Sequence, residues 1–174
     1  MSVELKILDF IQTLHTPVLD KIVLGITQLV QSGIIWIVLT LILLIIPKTR
    51  RTGGVMLAAL LIETVLCNLL LKNIVARTRP CDVNTAVQLL ISRPHGYSFP
   101  SVHTAMAFSA AGALCFSKNR LWIPVLVFAC LIAFSRLYLY VHYPTDVLTG
   151  AILGVLCGYI GYKIVNTLMK KKEA

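Results

Sequence analysis

GGVMLAALLIETVLCNLLLKNIVARTRP, residues 53–80, is apolar for most of its length and then ends in Lys72, Arg77 and Arg79-Pro80. Its apolar part, over 53–76, reaches the ~20 residues needed to cross hydrocarbon. The stretch reads as a membrane-crossing helix that delivers cations to the interface. Two further polar clusters occupy the same kind of place: Pro100-Ser101-Val102-His103 opens one apolar run, and Ser135-Arg136 through His142 to Asp146 joins two others. Holding a cation inside a bilayer costs about 2.5–3.5 kcal/mol on insertion scales. Cations gathered at span ends therefore imply a ligand of opposite charge, and phosphate is the obvious candidate.

The rest of the chain shares this character. Of 174 residues, 57% are apolar and 13% charged, far greasier than a soluble domain. An all-α, polytopic membrane protein follows, with a short interfacial helix over 3–14 and six spans near 17–31, 33–47, 53–76, 101–117, 121–141 and 144–168. In the first helix Val3, Ile7, Phe10, Ile11 and Leu14 share one face, as a helix lying in the interface requires. The first two spans are short and divided only by Gln31-Ser32-Gly33, so one long helix over 22–47 is the alternative, leaving five spans and an outer N-terminus. The start lacks the charged stub, short apolar stretch and cleavage site of a removable signal, so the first span is expected to do the targeting. Residues 1–174 read as a single domain without repeats.

The net charge of +9, from 16 Lys and Arg against 7 acids, does not point to nucleic acid. The basic residues sit in short segments between spans, at Lys48, Arg50, Arg51, Lys118 and Arg120, and in the run Lys170 to Lys172, which is the pattern retained in the cytoplasm. With those segments inside, the 77–100 loop and the 142–144 turn lie outside. All three polar clusters then meet on the extracytoplasmic face, although Lys72 and Asp146 stand 74 positions apart.

Each cluster supplies a chemical role. Lys72 and Arg79 offer cations, and Pro80 places Arg79 beyond the helix end with its planar fork free for two phosphate oxygens. Pro100 and Ser101 sit where a helix begins whose free N–H groups and positive end can face an anion, and Ser101 is a cap or a phosphate ligand. His103, just inside that helix, is a proton donor for an alkoxide leaving group. Asp146, in the first turn after Pro144, reaches back to His142, fixes its tautomer and leaves the other ring nitrogen as a nucleophile. Arg136 adds a cation for developing charge. Together these side chains cover what nucleophilic phosphoryl transfer needs.

Other residues stand outside this set. His15 and His95 carry no assigned chemistry, Tyr97, Tyr138, Tyr140 and Tyr143 fit an outer aromatic belt, and Val87, Leu89, Leu90 and Ile91 are expected to rest on the membrane and guide a lipid tail. Glu63, an acid within a span, is a functional candidate without a named partner. Five cysteines, four of them in apolar runs, form neither a disulfide framework nor a zinc pattern. Asp82 and Asp146 are too few carboxylates for a two-metal centre, so no metal or other cofactor is expected.

The three clusters resemble the signatures of the type 2 phosphatidic acid phosphatase family, K-x6-R-P, P-S-G-H and S-R-x5-H-x3-D. They stand here as Lys72 to Arg79-Pro80, Pro100-Ser101-Val102-His103, and Ser135-Arg136 to His142 and Asp146, in the same order and over about 75 residues. By that resemblance His142 attacks phosphorus to form a phosphohistidine, Asp146 orients it, His103 protonates the leaving group and then activates water, and Lys72, Arg79, Ser101, Val102 and Arg136 hold the phosphate. Val102 departs from the family glycine, and its branched side chain is expected to crowd the pocket. The resemblance implies a lipid phosphatase acting in the bilayer on phosphatidic acid, phosphatidylglycerophosphate or undecaprenyl pyrophosphate. A lipid phosphotransferase using the same intermediate and a silent anion-binding or transport protein are the alternatives. Oligomeric state is not legible.

Overall fold

The computed structural model describes residues 2–173 and is all helical, with no strand among the described residues. Helix α1 (Val3–Gln12) is capped by the Ser2 hydroxyl, and α2 (Pro17–Val30) by the Thr16 hydroxyl with Pro17 in its first turn, both favoured starts. Helix α3 (Ile34–Ile45) follows after a 55° bend. At the bend Gly33 has φ +65°, a left-handed conformation that strains any residue with a Cβ.

Helix α4 (Arg50–Glu63) continues through a π-helical stretch, Thr64–Leu71, into the single turn α5 (Lys72–Val75). Ala76, at φ 48°, ends it. A second short turn, α6 (Pro80–Val83), starts at Arg79, whose backbone is extended as a residue before proline prefers. After a long loop come α7 (Val102–Phe116), α8 (Trp122–Tyr138) and α9 (Pro144–Glu173).

Glycines on α9 set the packing. A methyl group on Gly150 would lie 2.7 Å from the Ser101 carbonyl, and one on Gly154 would lie 2.9 Å from Ser109 N and collide with the Ala105 carbonyl. Gly158 and Gly161 face Ala113 and Ala59 at similarly short range. Four small residues at three- and four-residue spacing bring α9 against both α7 and α4, the way helices associate where lipid competes for every apolar side chain. Val55, Met56, Ala59, Ala110, Ala113, Leu114 and Ile132 complete that core, while Leu57, Leu61, Val127, Leu131, Leu148 and Ile152 point outward. Apolar residues on both faces are expected where the solvent is lipid.

Two helical stretches, Arg50–Val83 and Pro144–Lys171, are long and apolar enough to cross a membrane alone. Helices α2 and α3, of 14 and 12 residues, extend about 21 and 18 Å, short of the ~30 Å of hydrocarbon. They pass the same test only as one bent pair. Glu4 of α1 meets Arg77 at 2.5 Å, so α1 lies at the end of the bundle where α5 stops. Leu44, at the far end of α3, packs on Gly53 at the opposite end. The α2–α3 pair thus runs from the end of the bundle that holds the three clusters to the opposite end, and length and composition give two membrane-crossing helices, or three with the bent pair as one. At Gln31-Ser32-Gly33, where the sequence predicts a break between two spans, the structure has the 55° bend between α2 and α3.

Two other expectations are corrected. Tyr138, Tyr140 and Tyr143 are buried and Tyr97 alone is exposed: Tyr138 donates to Asp20 at 2.6 Å and Tyr140 to Asp9 at 2.7 Å. These hydroxyls peg α2 and α1 to the end of α8, a use that requires the ring inside and the polar tip at a partner. Val87, Leu89, Leu90 and Ile91 are partly buried and pack against the cluster of Leu8, Ile11, Tyr138 and Tyr140, so they rest on the molecule's own core where the sequence expectation had them on the membrane.

Candidate active site

His142 lies in the turn between α8 and α9 and is 4% exposed. Its Nδ1 is 2.7 Å from the Ser98 carbonyl oxygen, and its Nε2 is 3.4 Å from Arg79 Nη1. A carbonyl only accepts and a guanidinium only donates. The proton therefore sits on Nδ1, and Nε2 keeps its lone pair toward Arg79. Burial, reinforced by the charges of Arg79 and Arg136, pushes the His142 imidazole down from 6.5 to about 4, against the opposing pull of Asp146. The ring is neutral at pH 7 and able to act as a nucleophile.

Asp146 is placed differently from the sequence expectation. Its Oδ2 is 3.8 Å from His142 Nδ1, while the same oxygen accepts the Tyr143 N–H at 2.9 Å and Oδ1 accepts from Arg77 at 2.6 Å. The acceptor that orients His142 is the Ser98 backbone, and Asp146 adds negative charge beside the ring. Ser98 is itself fixed, its N–H and hydroxyl both donating to the Arg77 carbonyl. A backbone acceptor leaves no trace in side-chain identity, so no motif could have named it.

The cations converge. Arg79 is 5% exposed and donates to the carbonyls of Gly96 at 2.9 Å and Val141 at 3.0 Å, which pins its guanidinium beside His142. Arg136, in the last turn of α8, donates to Thr27 Oγ1 at 2.6 Å and to its neighbour Ser135. Lys72 is half-buried and close enough to Arg79 for the two charges to interact, as Arg79 and Arg136 also do. His103, half-buried at the start of α7, feels the charges of Arg136 and Lys72. Like charges packed this closely repel, and a bound anion relieves that repulsion.

Ser101 is fully buried, its hydroxyl paired with Thr104 at 2.9 Å and its N–H donating to the Asp146 carbonyl at 3.1 Å. The first amide bonded within α7 is that of Ala105, to the Ser101 carbonyl. The amides of Val102, His103 and Thr104 precede it, at the positive end of the helix. Val102 opens α7 and is half-buried, so a β-branched residue is accommodated where the family signature has glycine.

Arg77 bridges Asp146 and Glu4 and stacks on Tyr143 with its guanidinium carbon 3.7 Å from the ring centre. Its spacing two residues before Arg79 was the available signal, and Glu4, on α1, gave none. Glu63 lies outside the cluster, fully buried at the junction of α4 and the π-helical stretch, and neither carboxyl oxygen has a hydrogen-bond partner. Among the described residues no group of three or more His, Cys, Asp or Glu gathers as a metal would need.

A helical bundle with buried imidazole, arginines and a helix N-terminus at one end defines a class of phosphate-handling membrane proteins, and comparison agrees. The PAP2 superfamily model matches residues 52–170, and the chain belongs to that superfamily. It is 32% identical over 139 residues to undecaprenyl-diphosphatase of Sulfolobus acidocaldarius, covering 79% of this chain and 67% of that one. It is 28% identical over 155 residues to undecaprenyl-diphosphatase BcrC of Bacillus subtilis, covering 88% and 79%. The structure of LpxE from Aquifex aeolicus superposes with a TM-score of 0.83 at 32% identity, over 94% of this chain and 96% of that one. The protein is accordingly a hydrolase of the PAP2 phosphatase type.

Proposed function

We propose that this protein hydrolyses the phosphomonoester or pyrophosphate of a membrane lipid through a phosphohistidine on His142. The observation that carries the reading is the fixed tautomer of His142, with Nε2 unprotonated and facing Arg79. Nε2 attacks phosphorus, and the Nδ1–H bond to Ser98 holds the ring as positive charge develops on it. Lys72, Arg79, Arg136 and the first amides of α7 receive the phosphate oxygens as charge builds up. His103 gives a proton to the departing oxygen, and in the second half of the reaction takes one from the water that releases phosphate. The site lies at the outer leaflet in a five-crossing arrangement, because Lys48, Arg50, Arg51, Lys118, Arg120, Lys170 and Lys171 fall in the turns and terminus at the other end. Related proteins named as lipid diphosphatases and phosphatases support the lipid substrate.

The test is purified protein in detergent offered phosphatidic acid, phosphatidylglycerophosphate and undecaprenyl pyrophosphate, with and without chelator. Phosphate release is expected to survive chelation and to vanish in His142→Ala. Activity lost with the metal, or kept in His142→Ala, would overturn the mechanism.

A further inference from the structure

Glu4 stands on α1, far in sequence from every other residue of the site, yet its carboxylate is fully engaged there. Oε1 accepts from both the N–H and the hydroxyl of Thr145, at 3.1 and 2.6 Å, and Oε2 accepts from Arg77 Nη2 at 2.5 Å. Thr145 lies in the first turn of α9, where amides have no partner within the helix. Glu4 thus caps α9 from a different helix. Arg77 Nη1 in turn donates to Thr145 Oγ1 at 2.7 Å and to Asp146 Oδ1 at 2.6 Å.

One guanidinium therefore answers two carboxylates. The Thr145 hydroxyl and amide and the Arg77 charge hold the Glu4 carboxyl below its ordinary value, outweighing a partial burial that alone would raise it. Glu4 is ionised at neutral pH and draws Arg77 to the outer side of Asp146. Without Glu4, the Arg77 guanidinium would keep only Thr145 and Asp146 as hydrogen-bond partners, and its grip on Asp146 would lose the second carboxylate that fixes it. Leu8 and Ile11, both buried, fix α1 against the end of α8 and give Glu4 a rigid base.

Resting on the phosphohistidine reading above, we propose that Glu4 is a positioning residue for phosphoryl transfer: through Arg77 it keeps Asp146 and the first turn of α9 at the setting that places Asp146 beside His142. The carboxylate's hydrogen-bond partners are Thr145 and Arg77 and not His142, so its loss should act on the chemical step and leave binding alone.

The experiment compares steady-state kinetics of wild type, Glu4→Gln, Arg77→Gln and the double variant on phosphatidic acid in detergent, with His142→Ala alongside. Glu4→Gln is expected to lower kcat about tenfold, the scale of a small misplacement of a reacting group, with KM changed less than about twofold. In the Arg77→Gln background the same change should cost less than it does alone, because Glu4 acts through Arg77. An unchanged kcat, a rise in KM at constant kcat, or equal costs in the two backgrounds overturns the proposal. Should Glu4→Gln fail to fold, Thr145→Val, which removes only the bridging hydroxyl, decides it: a lower kcat supports the assignment and a wild-type kcat rejects it. Loss of turnover in His142→Ala with none in Glu4→Gln sinks this proposal alone. Equal turnover in wild type and His142→Ala sinks the reading beneath it as well.

Discussion

His142 is held between a carbonyl that can only accept and a guanidinium that can only donate, and its protonation follows from that placement. The folded ring titrates near 4 and the unfolded one near 6.5. Above 6.5 both states are neutral and the folded state keeps its full stability. As pH falls from 6.5 toward 4 the unfolded chain takes up a proton that the folded site refuses, so stability is lost over that interval. The melting temperature in detergent should therefore fall further between about pH 7 and about pH 5 for wild type than for His142→Asn. Equal falls would mean that the ring is not held neutral. The histidines were legible as candidates because polar residues are rare in this chain. The acceptor for His142 was not, because a backbone carbonyl is common to every residue and only the fold brings Ser98 beneath the ring.

At the scale of elements, α9 organises the site by the smallness of one stripe. Gly150 lies one turn beyond Asp146 and abuts the Ser101 carbonyl, so the contact that brings α7 against α9 also sets the first amides of α7, proposed to receive phosphate, near His142. Gly150→Ala should push the start of α7 away and reduce kcat/KM while the bundle stays folded. Gly154→Ala, against the Ala105 carbonyl and Ser109 N, should cost about 1–3 kcal/mol, the range for overpacking a tight interface, read as a lower melting temperature. The stripe was visible in the sequence as Gly150, Gly154, Gly158 and Gly161, but spacing alone does not say which helix approaches. Helix α2 contributes Thr27 to Arg136, a contact hidden because threonine on an apolar helix commonly bonds its own backbone.

For the whole molecule the decisive matter is which end each terminus occupies. Glu4 at Arg77 places α1 with the catalytic cluster, and Leu44 at Gly53 places the end of α3 opposite. In a background without native cysteines, a membrane-impermeant maleimide on intact cells should label Ser2→Cys and spare Asn119→Cys. Labelling of neither is the outcome that the six-span arrangement gives, in which both positions face inward.

The sequence by itself determined that the protein is helical and membrane-embedded, and which polar residues are candidates for its chemistry, because an apolar chain can keep cations, imidazoles and a carboxylate only where something holds them. Tertiary structure alone decided their partners: Ser98 for His142, Arg77 and Tyr143 for Asp146, Thr27 for Arg136, and Glu4 for Arg77 and Thr145. Hydrogen-bond geometry is settled over a few tenths of an ångström, and at that scale the bend at Gly33 and the close approach of α7 to α9 count for more than any local pattern.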